Sequence, residues 1–222
     1  SIQGGIEVEG GQFFDAWGLH DYSLLGFPLS GNYDSTDNAL APTRGVRVVG
    51  RVTPYVNALP HGVGMVESKG QASAYYALDE DAWRIIAGRV AVGSIVGASI
   101  ENIPASHRFF AGGGGSVRGF AYRGLGPKLG NGRIVGGLSL AEASFEYRAR
   151  VTDDIGIVPF VDMGSAFASR TPDFSEKLRI GAGLGLRWYT GLGAIRFDVA
   201  APVNPDRGDP RFAVYIGIGE AF

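Results

Sequence analysis

Apolar and polar residues alternate along most of this chain. Leu178, Ile180, Leu184, Leu186 and Trp188 share one phase; Arg179, Gly181, Gly183, Gly185, Arg187 and Tyr189 share the other. A period of two marks a strand whose two faces meet different surroundings. The same alternation sets Ile195, Phe197 and Val199 against Arg196 and Asp198. It sets Ile157, Val161 and Met163 against Phe160, Asp162 and Gly164. The pattern predicts ten strands, at 2–10, 22–37, 44–57, 64–78, 83–99, 133–151, 155–167, 178–190, 194–201 and 212–222. The second is interrupted by Pro28, which lacks a ladder donor and implies an edge or bulge there.

The connections alternate in length. Short turns are expected at 38–42, 79–82, 152–154 and 191–193, and longer loops at 11–21, 58–63, 100–132, 168–177 and 202–211. Transmembrane barrels alternate in this way, with short turns on one side of the bilayer and long loops on the other. Strands of ten or more residues suffice to cross at a tilt. A soluble sandwich or lipocalin-like barrel would turn its apolar face inward and its charged face out. The fold class expected is an all-β, transmembrane antiparallel β-barrel.

Composition fits this picture. No apolar run reaches the ~18 residues of a membrane helix, and mean hydropathy near zero is what alternating strands produce. Glycine is abundant, at 36 of 222 residues, about twice the ~7% of ordinary proteins. A net charge of -2 gives no basic surface for nucleic acid. Without cysteine there is no disulfide framework or thiolate metal site. His20, His61 and His107 are scattered through loops without metal-ligand spacing. Ser116 lacks the strand–turn–helix setting of a nucleophile, and Gly112 to Gly115 lack the lysine and helix of a phosphate loop. The chain reads as non-enzymatic, with no cofactor and no metal. Ser1 opens no signal-peptide pattern, so the chain reads as a piece whose N-terminal part is absent.

The longest connection carries the candidate chemistry. It contains Arg108-Phe-Phe-Ala-Gly-Gly-Gly-Gly-Ser-Val-Arg-Gly-Phe-Ala-Tyr-Arg-Gly-Leu-Gly-Pro127. Loops of this length in compact all-β chains are usually functional. Within it, Val117-Arg118-Gly119-Phe120 resembles the Val-Arg-Gly-aromatic motif of outer-membrane assembly factors of the BamA/TamA superfamily, the bacterial surface antigen barrels. The resemblance extends to Tyr33-Asp-Ser-Thr-Asp-Asn38, Pro42-Thr-Arg-Gly45, Gly136-Gly137, Glu146-Tyr147-Arg148 and Phe160-Val-Asp162-Met-Gly164, and it is greatest on the TamA-like side.

The resemblance implies that residues 1–222 are the C-terminal part of one barrel domain, ten of sixteen strands, without the periplasmic docking domains. It implies that loop 100–132 folds into the lumen, where Arg118 meets Glu146 and Asp162, with Phe160 beside them. Periodicity independently puts Glu146, Phe160 and Asp162 on the inward face. The other inward charges, Arg47, Arg51, Glu67, Lys69, Arg89, Glu142, Arg148, Arg179, Arg187, Arg196 and Asp198, read as a wall of structural ion pairs. Phe222, with Ile218 and Tyr215 upstream, resembles the C-terminal recognition signal of outer-membrane barrels. Phase puts Trp188, Tyr147, Phe197 and Phe222 on the lipid face. The function implied is insertion of outer-membrane proteins such as autotransporters, through a seam between first and last strands. The partners implied are unfolded substrate proteins, a TamB-like protein anchored in the inner membrane, and the lipid bilayer. The alternative on the same scaffold is a passive pore or surface antigen.

Overall fold

The computed structural model describes residues 1–58, 64–191 and 193–222. The expected loop 58–63, with His61, and part of the turn 191–193 lie largely outside the described residues. Among the described residues twelve strands run in chain order: β1 (Ile2–Gly4), β2 (Glu7–Asp15), β3 (Gly18–Gly26), β4 (Leu29–Asp34), β5 (Gly45–Asn57), β6 (Met65–Ala77), β7 (Arg84–Val96), β8 (Ser139–Arg150), β9 (Ile155–Phe167), β10 (Arg179–Thr190), β11 (Gly193–Pro202) and β12 (Ala213–Ile218). All pairings are antiparallel, and from β4 to β12 sheet order follows chain order, with β7 and β8 direct neighbours although the long loop joins them.

Twelve strands and ten expected ones describe the same chain path. β3 and β4 are two halves of one strand, both laid on β5, with Leu24 opposite Asn57 and Leu29 opposite Val52. The break falls at Phe27-Pro28, where proline has no N–H to give the ladder. β1 and β2 are likewise two halves, paired with β4 and β3 respectively.

Three boundaries differ from the sequence expectation. Residues 11–21, expected as a loop, are the ends of the β2–β3 hairpin, closed by a turn at Ala16-Trp17. The aromatics that suggested a loop are cross-strand contacts: Phe13 stacks on His20 with centroids 5.1 Å apart. Residues 133–138 do not belong to β8. Ile134 bridges to Lys128 and Gly137 to Phe109, so this segment pairs with the long loop. The last strand stops at Ile218, because Gly219 takes φ +82° and turns the chain off the ladder.

The two faces are inverted relative to a water-soluble protein. Leu184, Leu186, Trp188, Phe197, Val90 and Val92 are exposed, while Arg118, Arg148, Arg187, Glu146, Asp162 and Asp198 are each 2% exposed or less. This is the pattern of a sheet with hydrocarbon outside and a polar lumen, and it rules out the sandwich. Among the described residues β12 pairs only with β11 and β1 only with β4, so the sheet is open. Its curl still brings the C-terminal segment to the β4–β5 turn, where the Glu220 N–H donates to the Leu40 carbonyl at 3.0 Å.

Candidate functional site

The long connection between β7 and β8 packs against the polar face of the sheet. Val117 and Phe120 are buried with Ile103, Phe109, Ala111 and Leu125 of the same connection against Ile95, Leu140 and Ala166 of the wall. Two glycines make that approach possible. Gly119 has φ +96°, and a Cβ there would lie 2.9 Å from the Ala201 carbonyl carbon. Gly181 on β10 faces the loop, and a Cβ there would overlap the Arg118 carbonyl oxygen.

Arg118 enters a cluster of carboxylates. Its Nε donates to Asp162 Oδ2 at 2.7 Å and its Nη2 to Asp162 Oδ1 at 3.0 Å, a bidentate fork. The Arg118 backbone N–H donates to the same carboxylate at 3.1 Å. Nη1 donates to Asp198 Oδ2 at 3.0 Å. It also lies 2.9 Å from Glu146 Oε1, an ion-pair contact not aligned as a hydrogen bond. The guanidinium carbon sits 3.4 Å from the Phe160 ring centroid, in cation–π contact. The structure thus brings Val117, Arg118, Gly119, Phe120, Glu146, Asp162 and Phe160 together on β8, β9 and the loop.

Asp198 on β11 is a third partner that sequence reading placed only in the wall. Its inward phase was visible; its distance from the loop motif was not. Asp198 Oδ1 also accepts from Arg187 Nη1 at 2.5 Å, and Arg187 Nε donates to Glu220 at 2.8 Å. Arg148 Nε donates to Glu146 Oε2 at 2.9 Å. The wall and the motif arginine therefore share one buried ion network.

The edge strand also holds the motif. Tyr215 on β12 accepts the Gly119 N–H at 3.0 Å and donates its hydroxyl proton to the Phe120 carbonyl at 3.3 Å. Tyr215 lies on the polar face and Ile218 on the lipid face, 77% exposed. Phe222 does not join the lipid-facing aromatics. Its ring stacks on Tyr75 at 6.4 Å and lies 5.5 Å from the Arg148 guanidinium, on the polar side. The turn at Gly219 breaks the alternation, so strand phase does not carry to residue 222.

Other anchors join the loop to the wall and to the β2–β3 hairpin. Arg89 donates to the Gly115 carbonyl at 2.8 Å and the Ser116 carbonyl at 3.1 Å, while Ser116 bonds Glu142. Arg108 is buried, pairs with Asp15 of the hairpin, and sits 4.9 Å from the Trp17 ring. His107 lies between Glu67 of β6 at 3.0 Å and Glu9 of β2 at 3.3 Å, with the Tyr55 ring edge-on at 4.9 Å.

Burial alone would lower the His107 pKa, but hydrogen bonding and charge from Glu67, followed by Glu9, raise it above the ordinary 6.5. A raised folded pKa contributes stability fully below the unfolded value and loses it as pH rises through the folded one. Loop anchorage at His107 is therefore expected to be strongest under acidic conditions and to weaken through neutrality. Limited proteolysis of the loop across a pH series checks this; His107→Gln is expected to flatten the dependence.

A strand-built membrane barrel whose lumen holds a charge-pinned loop is the class that fold and site define. Residues 12–222 match the Omp85 superfamily domain, and the chain belongs to that superfamily. It is similar to the outer membrane protein assembly factor BamA of Nitratidesulfovibrio vulgaris, 27% identical over 180 residues covering 78% of this chain and 22% of the relative. BamA of Neisseria meningitidis serogroup B is 26% identical over 226 residues, covering 83% of this chain and 27% of the relative. The crystal structure of BamA from Haemophilus ducreyi lacking POTRA domains 1-3 superposes with a TM-score of 0.72 at 21% identity, covering 88% of this chain and 42% of that one. The chain spans about a quarter of the length of these curated relatives. It is a β-barrel protein of the bacterial outer membrane.

Proposed function

We propose that the chain is the C-terminal part, residues 1–222, of a barrel domain that inserts unfolded outer-membrane proteins into the bilayer, with its loop 100–132 held in the lumen. The observation that carries this reading is Arg118, buried among Glu146, Asp162 and Asp198 while Tyr215 ties the same motif to the edge strand β12. A loop fastened to the wall and to an edge strand links loop position to the state of that edge. An unpaired strand edge in hydrocarbon is costly, so the edge is a natural place for a substrate strand to add by backbone pairing. No hydrolysis enters; the substrate's own ladder bonds drive the step.

The similarity of the relatives named above supports assembly as the general activity. Autotransporters as substrates, and a TamB-like inner-membrane-anchored partner, rest on the TamA-like features of the loop. Phe222, Ile218 and Tyr215 are assigned a second role while this chain is itself unfolded, as its own C-terminal recognition signal.

The experiment depletes the whole protein in cells and follows heat-modifiable porin and autotransporter bands in the outer membrane. Conductance of the purified protein in planar bilayers is measured in parallel. Loss of folded substrates on depletion, with low conductance, is the expected outcome. Normal substrate levels with steady open-channel conductance would replace this reading with the passive pore.

A further inference from the structure

Arg179 opens β10 with its side chain on the polar face, in phase with Gly181. The loop motif runs past both residues. The Arg118 carbonyl lies against Gly181, where a Cβ would overlap it. The Phe120 ring lies 5.0 Å from the Arg179 guanidinium carbon. Phe120 is 1% exposed and Arg179 5%, and a cation held over a desolvated ring is attracted to it.

What fixes this cation is a segment distant from the motif in sequence. Arg179 Nη1 pairs with Asp206 and Nη2 with Asp209. A planar guanidinium bound at both nitrogens has a set orientation. The acids are themselves held. The Asp206 N–H donates to Asp209 Oδ2 at 2.6 Å. The Val203 N–H donates to the Ile180 carbonyl at 2.7 Å. The Asn204 side chain accepts from the Ile180 N–H and donates to the Leu178 carbonyl, both at 2.8 Å. The β11–β12 connection is thus clamped to the start of β10, beside the guanidinium it binds. It is one of the long connections, which lie on the extracellular side of such barrels.

We propose that Arg179 is a positioning residue for the loop motif, holding Phe120 through its guanidinium and held in turn by Asp206 and Asp209 of the β11–β12 connection. The proposal rests on the assembly reading above. Tyr215 grips the Phe120 carbonyl and Arg179 grips its ring, so Phe120 is fixed from β12 and from β10. Arg118 lies two residues away, and its fork to Asp162 needs the backbone where Phe120 puts it. The outer connection thereby contributes to the pinning of the motif inside the lumen.

The test follows the folding of an unfolded outer-membrane protein by the whole protein in liposomes. A second sample carries a fluorinated phenylalanine at position 120 alone, and its fluorine NMR resonance is read. Arg179→Gln is expected to lower the rate per folded barrel about tenfold and to shift the resonance. Asp206→Asn combined with Asp209→Asn is expected to reproduce both changes, although both sites lie outside the motif. Adding Arg179→Gln to that pair is expected to cost nothing further, because the three groups act as one unit. Arg179→Lys keeps a cation without the fork and is expected to fall between. Loss of stability alone would lower the amount of folded barrel, seen by heat-modifiable migration, and leave the resonance and the rate per folded barrel unmoved. If Arg179→Gln does not fold, the paired Asn variant, which leaves β10 intact, decides. An unmoved resonance or an unchanged rate per folded barrel in the Asn pair overturns the proposal, as do losses that simply add. No acceleration by wild type overturns the assembly reading instead, and the resonance then decides whether Arg179 positions Phe120.

Discussion

Arg118→Ala is expected to abolish substrate assembly while a barrel remains in the membrane. The ladder bonds that hold the strands together run from β4 through to β12 and do not involve Arg118. What the substitution removes is the centre of the buried network. Glu146, Asp162 and Asp198 are each 1% exposed or less, so water does not replace the guanidinium without movement. Removing one partner of a buried ion pair costs about 3–5 kcal/mol. The loop escapes that cost by leaving the wall and admitting water to the carboxylates. Release also breaks the Tyr215 contacts to Gly119 and Phe120 and uncouples the loop from β12. Arg118→Lys keeps the charge but loses the fork to Asp162, and is expected to fall between wild type and alanine. Folded barrel by heat-modifiable gel and substrate assembly in the same membranes give activity per folded barrel. Unchanged activity per barrel would reduce Arg118 to a strut.

The second large effect lies on the opposite face. Leu184 is the sixth of the twelve residues of β10 and is 55% exposed on the apolar side. It stands between Pro159 of β9 and Val199 of β11 in the ladder, midway along the strand and so near the bilayer midplane. Leu184→Arg is expected to block stable insertion, at about 2–4 kcal/mol for arginine at that depth. Ile195→Arg on β11 lies nearer the rim, beside Trp188, and is expected to cost less. Aromatic side chains such as Trp188 suit that interface. Both variants are checked by heat-modifiable migration and urea extraction from membranes; normal migration of Leu184→Arg would contradict a lipid-facing β10.

Much of this was legible in the sequence because strand phase is a local property. β5, β6, β7, β9, β10 and β11 follow from alternation within single stretches. Glu146 and Asp162 were placed on the inward face by counting in twos. The β2–β3 hairpin was missed because Gly10 and Gly11 blur the alternation just where Phe13 and Phe14 begin. Phe222 was placed on the wrong face because counting in twos assumes an unbroken strand, and Gly219 breaks it. Partners of the loop are a different kind of quantity. Arg108 meets Asp15 across 93 residues, His107 meets Glu9 across 98, and Arg118 meets Asp198 across 80. Those pairs depend on how far the sheet curls and where the loop lands, which alternation does not encode.

The central claim is that the pinned loop makes this barrel an assembly factor. It is tested most directly by adding an unfolded outer-membrane protein to liposomes containing the purified whole protein and following its heat-modifiable, protease-protected form. Wild type is expected to accelerate that conversion above empty liposomes, and folded Arg118→Ala to return it to the empty-liposome rate. Equal rates for wild type and Arg118→Ala, or no acceleration by wild type, would contradict it.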